Sequence, residues 1–216
     1  MGSAFAYRPA TQELFDDVEE MLGPKKRPDA AACWCLTYRL GNVESQKLDP
    51  PGRRAAVFEL CGARPEPGIL VYDSSADGVI GDVVGWAGVA RRSLITALAD
   101  EQAFPRMADG DPWTIFCLRT RGGRRRKGIG QQILSSAVDF ARESGAGVIE
   151  AYPVDPEAHI APIYAYPGFR SMFERAGFTV RDRAGRVPGG PPRVAMSLDT
   201  QSVTTVTSTG EVISTR

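Results

Sequence analysis

The sequence predicts a mixed α/β domain, and three observations carry that reading. Apolar, β-branched runs alternate with amphipathic stretches of helical period along most of the 216 residues. Two pairs of such runs flank short turn-forming segments, as the arms of hairpins do. Glycines stand where the helical patterns stop, at Gly23, Gly145 and Gly177.

Element by element, "TQELFDDVEEMLG" places Leu14, Phe15, Val18, Met21 and Leu22 on one face, with Thr11 as N-cap and Gly23 as stop, so a first helix is expected. "CWCLTYRL", residues 33–40, reads as a strand, and "PGRRAAVFELCGA" as a helix opened by Pro51. "GILVYD" and "VIGDVVGWAGVAR" form a hairpin about "SSADG". "DPWTIFCLRTR" is a further strand. In "GIGQQILSSAVDFARESGAG", Ile129, Ile133, Ala137, Phe140 and Ala141 share a stripe that Gly145 closes. "GVIEAY" is a strand, "FRSMFERAG" a short helix stopped by Gly177, and "FTVRDR" with "PRVAMSL" a last hairpin. Residues 199–216 lack apolar periodicity and are expected to form a disordered tail. No internal repeat is present, so residues 1–198 carry one domain.

Composition removes several classes of function. Twenty-six basic residues balance twenty-six acidic ones, which argues against broad adhesion to nucleic acid or membrane. No apolar run approaches the roughly 18–20 residues of a membrane span, and "MGSAFAYRP" has no apolar signal core, so a cytoplasmic location is expected. Cys33, Cys35, Cys61 and Cys117, with the single histidine His159, match neither a disulfide framework nor a zinc ligand set. Buried, reduced thiols and no metal are the expectation.

Against that neutral background, "TRGGRRRKGIGQQIL" concentrates five cations and four glycines between a strand and a helix. A helix N-terminus offers unpaired N–H groups and the positive end of the helix dipole, so an anion can sit there. Gly128 and Gly130 let a phosphate approach the backbone, with Arg125, Arg126 and Lys127 around it. A P-loop would need Ser or Thr after Lys127, and a dinucleotide fingerprint a third glycine at Ile133. A solvated basic loop has no need of glycine at both 128 and 130. Nucleic-acid binding would call for interleaved aromatics, which this stretch lacks.

The remaining pattern, Arg125-Arg126-Lys127-Gly128-Ile129-Gly130 on a strand–loop–helix, resembles the coenzyme A pyrophosphate loop of the GNAT acyltransferase superfamily. The likeness continues through "WTIFCLRT", the helix to Gly145, "GVIEAYPVD" and "YPGFRSMFERAGF". "CWCLTYR" and "GWAGVARRS" are similar to an actinobacterial-type branch. The resemblance implies a central, mostly antiparallel sheet, splayed where coenzyme A enters and flanked by about four helices. It implies backbone hydrogen bonds from Leu118 and Thr120 to the pantetheine arm, with Arg119 between them part of the same cofactor-binding strand. It also implies pyrophosphate contacts from Arg125, Arg126, Lys127, Gly128, Ile129, Gly130 and Gln131. Acetyl-CoA would be the donor co-substrate and a small-molecule amine the partner, with a homodimer left open.

One position departs from the family. In "MFERAGF", Phe173 stands where many members carry a tyrosine that protonates the departing thiolate. A thiol of pKa about 8.5 needs only about 2 kcal/mol of help at pH 7, whereas an amine of pKa about 10.4 must shed a proton at roughly 4.6 kcal/mol. The base is the larger requirement. Alternation along "GVIEAYPVD" sets Val148, Glu150 and Tyr152 on one face, making Glu150 a candidate base, directly or through water. Its other reading is a carboxylate paired with a cation. Tyr164 and Tyr166, in the long connection after that strand, are candidate donors to the thiolate. The expected activity is N-acyl transfer by direct attack in a ternary complex. The alternative is a catalytically weak acyl-CoA-binding regulator.

Overall fold

A computed structural model describes residues 4–25, 27, 30, 32–74, 78–123, 128–155, 160–161, 164–185 and 190–201. Seven strands make one sheet: β1 (Ala4–Pro9), β2 (Gly68–Ser74), β3 (Ile80–Arg91), β4 (Trp113–Thr120), β5 (Val148–Ala151), β6 (Thr179–Ala184) and β7 (Arg193–Asp199). Their order is β1-β2-β3-β4-β5-β7-β6, antiparallel throughout except for β4 beside β5. The parallel pair requires a crossover, and the helix predicted after the glycine-rich loop supplies it. Six α-helices stand among the described residues: α1 (Phe15–Leu22), α2 (Leu36–Leu40), α3 (Asn42–Lys47), α4 (Pro50–Gly62), α5 (Ile129–Glu143) and α6 (Arg170–Arg175).

The sheet separates two cores. On one face α5 buries Ile133, Leu134, Ala137 and Phe140 against Val71, Val84, Val89 and Ile115. It lies close to the strands because Gly85 has no side chain: a Cβ there would fall 2.4 Å from the Ile133 side chain. On the other face Val18, Leu22, Trp34, Leu36 and Val57 pack on Leu70, Trp86 and Phe116. Each large apolar side chain so buried contributes about 1.5–3 kcal/mol, which is why both patterns show in the sequence.

Three expectations need correction. Residues 33–40 are not a strand: Trp34 and Cys35 take left-handed backbone, with φ 51° and 58°, and α2 follows. The run is apolar because Trp34, Leu36 and Tyr38 are all buried, and burial on several sides erases the period that separates helix from strand. The helices also exceed the four expected, α2 and α3 being the short additions, and β1 was not foreseen. The boundary expected after residue 198 falls inside β7, where Asp199 pairs with Val148 and the Thr200 N–H donates to the Gly147 carbonyl at 3.0 Å. Residues 202–216 lie outside the described residues.

Candidate active site

The central feature is a gap between β4 and β5. The two strands pair only over Trp113–Ile115 and Ile149–Ala151. Immediately beyond, Cys117 faces Gly88 while Ile115 faces Val89, so Phe116 is an extra residue in β4. Such a bulge bends its strand and aims backbone groups away from the regular ladder. Past it, the Leu118 N–H donates to the Tyr166 carbonyl at 2.6 Å, so one turn of the long connection reaches into the gap. Gly168 makes that possible: at φ +80° it holds left-handed backbone, and a Cβ there would lie 2.8 Å from the Phe173 ring and 3.1 Å from Leu118. Phe173 is 0% exposed, edge-on to Phe178 at 5.1 Å, and presents no hydroxyl to the gap.

The N-terminus of α5 lies on the side of the sheet that α5 covers. Gly128, at φ +74°, precedes the first turn, accepts from the Gln131 N–H at 3.0 Å, and has open space where a side chain would be. Among the described residues no side chain caps this helix, so the Ile129 and Gly130 N–H groups are available to an anion. Beside it lies a cleft of about 480 Å³ lined by Gly128, Gln132, Ser135, Arg142 and Arg175. Gln131 ties the two helices around it, donating to the Met172 carbonyl at 3.1 Å and accepting from Arg175 at 3.2 Å. A phosphorylated group with a long thin arm fits this arrangement, its phosphates at the helix end and its arm in the gap. Arg125, Arg126 and Lys127 lie outside the described residues. Ile129 is buried in the core under α5, and Gly130 abuts Met172. Thr120 pairs with Gly85 at the end of β4, and the Arg119 side chain turns to the opposite face, reaching the Leu22 carbonyl at 3.5 Å.

That opposite face holds two buried guanidinium clusters that the sequence reading missed. In the first, Glu150 lies on the face that alternation predicted, but the segment after β3 covers it completely. It is 0% exposed, ion-paired with Arg92 at 2.8 Å, and accepts from the Met107 N–H at 2.7 Å and the Tyr152 hydroxyl at 3.1 Å. Arg92 also donates to Tyr152 and to the Leu98 and Phe104 carbonyls. Glu150 is therefore the cation-paired carboxylate of the two readings, held inside the protein rather than along an open cleft. Burial pushes the Tyr152 phenol well above its ordinary range, and the Glu150 carboxylate beside it adds to that.

In the second cluster Arg193 donates to the Tyr38 hydroxyl at 2.6 Å and the Tyr166 hydroxyl at 2.9 Å, and its Nε–H has no partner among the described residues. Tyr164 lies half-buried in a single turn two residues earlier, its N–H donating to the Ala161 carbonyl at 2.9 Å. Cys35 and Cys117 meet at 2.9 Å between Sγ atoms near the bulge. These two and Cys61 are buried and free, whereas Cys33 is exposed, contrary to expectation. His159 lies outside the described residues. A hint to Arg92 and Arg193 existed in "VARRSL" and "PPRVAMSL", where an arginine borders an apolar strand, but solvated arginines do the same.

Residues 34–178 match the sequence profile of the Acetyltransferase (GNAT) family. Solved structures of similar fold include a mosquito arylalkylamine N-acetyltransferase (like 5b), 12% identical, covering 91% of this chain and 100% of that one with a TM-score of 0.51. An acetyltransferase from Salmonella typhimurium, solved with its cofactor acetyl-CoA, is 18% identical and covers 92% and 95% of the two chains with a TM-score of 0.48. A histone acetyltransferase HPA2-related protein from Corynebacterium glutamicum is 19% identical, covers 91% and 96%, and has a TM-score of 0.47. No curated protein matches the sequence. Identities this low speak to the fold, and the family assignment rests on the profile. The chain belongs to the acetyltransferase (GNAT) family and is a GNAT-type N-acetyltransferase.

Proposed function

We propose that this protein transfers an acetyl group from acetyl-CoA to the amine of a small molecule, by direct attack in a ternary complex. The observation that carries the reading is the Leu118 N–H aimed into the β4–β5 gap, with the α5 N-terminus on one side of the sheet and a polar, aromatic-lined cluster on the other. Acetyl-CoA supplies a thioester carbonyl already activated for attack. The Leu118 N–H and the first-turn N–H groups of α5 orient that donor. The acceptor approaches from the face of Tyr38, Tyr166 and Arg193, its nitrogen bonding to the carbonyl carbon as the carbon–sulfur bond breaks.

Both oxygens of Glu150 are engaged inside the protein, so we assign it to positioning: it holds Arg92 and the segment after β3 against β5. The amine proton passes to water, and kcat/KM rises with pH toward the acceptor's own pKa. Tyr166 is the proton donor to the thiolate, since Arg193 donates to its oxygen and that contact does not spend the hydroxyl's own proton. Tyr166→Phe should lower kcat at neutral pH by about thirtyfold, the roughly 2 kcal/mol that protonating the thiolate is worth at pH 7; an unchanged kcat removes Tyr166 from this role. The transfer itself is tested by free-thiol release from acetyl-CoA across a panel of amines, with mass spectrometry of the products. Acetyl-CoA binding without product from any amine would favour the regulator instead.

A further inference from the structure

A guanidinium buried away from water is held by a carboxylate in most proteins, because its desolvation otherwise goes uncompensated. Arg92 obeys that rule through Glu150. Arg193 does not. It is 3% exposed, yet its hydrogen-bond partners are two neutral phenols, Tyr38 and Tyr166, and among the described residues no carboxylate pairs with it. Its Nε–H is buried without any partner among the described residues. Its guanidinium also lies 5.5 Å from the Tyr166 ring centroid, a favourable but weaker interaction than an ion pair. A guanidinium carries five N–H donors in a planar fork, and two of them are used here. The Nε edge is the one that faces a carboxylate in bidentate pairs.

Position matters as much as charge. Arg193 faces Val154, just past the end of β5, where the strand borders the gap. Tyr166 connects the two points: its carbonyl sits on the Leu118 N–H and its hydroxyl on Arg193. The Leu118 N–H and the guanidinium are thus one tyrosine residue apart.

We propose that Arg193 recognises a carboxylate on the acceptor, so that the substrate class is an amine carrying a carboxylate at a distance, several bonds from its nitrogen. This rests on the acetyl-transfer reading above. The acceptor's carboxylate takes the Nε edge of Arg193 while Tyr38 and Tyr166 keep the other two nitrogens, and the amine then lies over the gap. An α-amino acid, with one carbon between nitrogen and carboxylate, is too short to do both. A carboxylate is preferred to a phosphate because one guanidinium balances one negative charge.

The test compares glycine, γ-aminobutyrate and ε-aminocaproate with their primary amides in the thiol-release assay. The expected result is a kcat/KM at least tenfold higher for ε-aminocaproate than for its amide, with little difference for glycine. In Arg193→Met that ratio collapses toward one, and in Arg193→Lys it is partly kept, with acetyl-CoA affinity by calorimetry confirming an intact fold. If Arg193→Met does not fold, the wild-type ratio and Arg193→Lys decide. Equal turnover of acids and amides overturns the carboxylate site and leaves acetyl transfer standing. If no amine is acetylated, transfer to these acceptors falls, and binding of ε-aminocaproate to the coenzyme A-loaded protein decides the site alone. Heat that disappears in Arg193→Met or Arg193→Lys supports it, and absence of heat in the wild type overturns it.

Discussion

Glu150 and Arg92 meet at 2.8 Å where neither reaches water, so each is the other's solvation. Removing one charge leaves its partner buried and unpaired, a loss of about 3–5 kcal/mol at comparable sites. Glu150→Gln keeps the shape and an acceptor for the Met107 N–H but not the charge, so urea unfolding should show a loss near 3 kcal/mol. Folded Glu150→Gln should keep the wild-type pH profile. Unchanged stability with a hundredfold fall in kcat/KM would instead make Glu150 the base. A second residue sets an alkaline limit. Burial pushes the Cys61 thiol from 9.0 up to about 11, so it binds its proton more tightly folded than unfolded. Its contribution is complete below pH 9 and is lost as pH rises toward 11. Arg39 works the other way, since burial lowers it to about 10 and the cost of burying its charge fades above that pH. Between pH 9 and 10 the thiol therefore dominates: the urea midpoint should fall across that interval, and Cys61→Ala should flatten the fall. At this scale the sequence was half legible. Alternation gave the face of Glu150, but the cover supplied by Met107 and Leu98 comes from irregular backbone that no period announces.

Elements with a single exposed face were readable. α5 is amphipathic, packs one stripe on the sheet and stops at a left-handed Gly145, so both its period and its end were in the residues. α2 was misread for the opposite reason: five residues with Leu36, Tyr38 and Arg39 all buried carry no polar face to set a period. The α5 N-terminus offers the sharpest test of an element in function. Gly128 has open space around its missing side chain, so a valine there meets no neighbour among the described residues. What it meets is its own backbone, because φ +74° is a left-handed conformation that a β-branched residue strongly disfavours. Gly128→Val should therefore reshape the first turn and stand in the path of a phosphate. Acetyl-CoA affinity should fall at least tenfold by calorimetry, or about 1.4 kcal/mol. Unchanged affinity would place the phosphates elsewhere.

For the whole molecule, the sheet is one layer that two half-sites share, and its break is where they communicate. The bulge at Phe116 ends the β4–β5 ladder, and the turn from Ala165 to Gly168 fills the opening. No local pattern announces this, because the turn belongs to the Pro-rich connection while its partner Leu118 lies 48 residues earlier. The same Leu118 N–H cannot serve the Tyr166 carbonyl and the donor's arm together. Seating acetyl-CoA should therefore move the turn, which is tied back by the Val154 N–H on the Gly168 carbonyl and the Gly168 N–H on the Ala165 carbonyl. Hydrogen exchange followed by NMR reads both amides. With acetyl-CoA bound, Val154 and Gly168 should exchange faster as the turn lifts about its Arg193 anchor, while the first turn of α5 from Ile129 to Gln131 slows. Arg193→Lys loosens that anchor, so Gly168 should already exchange faster before any donor is added. If Val154 and Gly168 slow together with α5, the turn closes over the arm instead of yielding to it, and the Leu118 N–H is not the group that holds the donor.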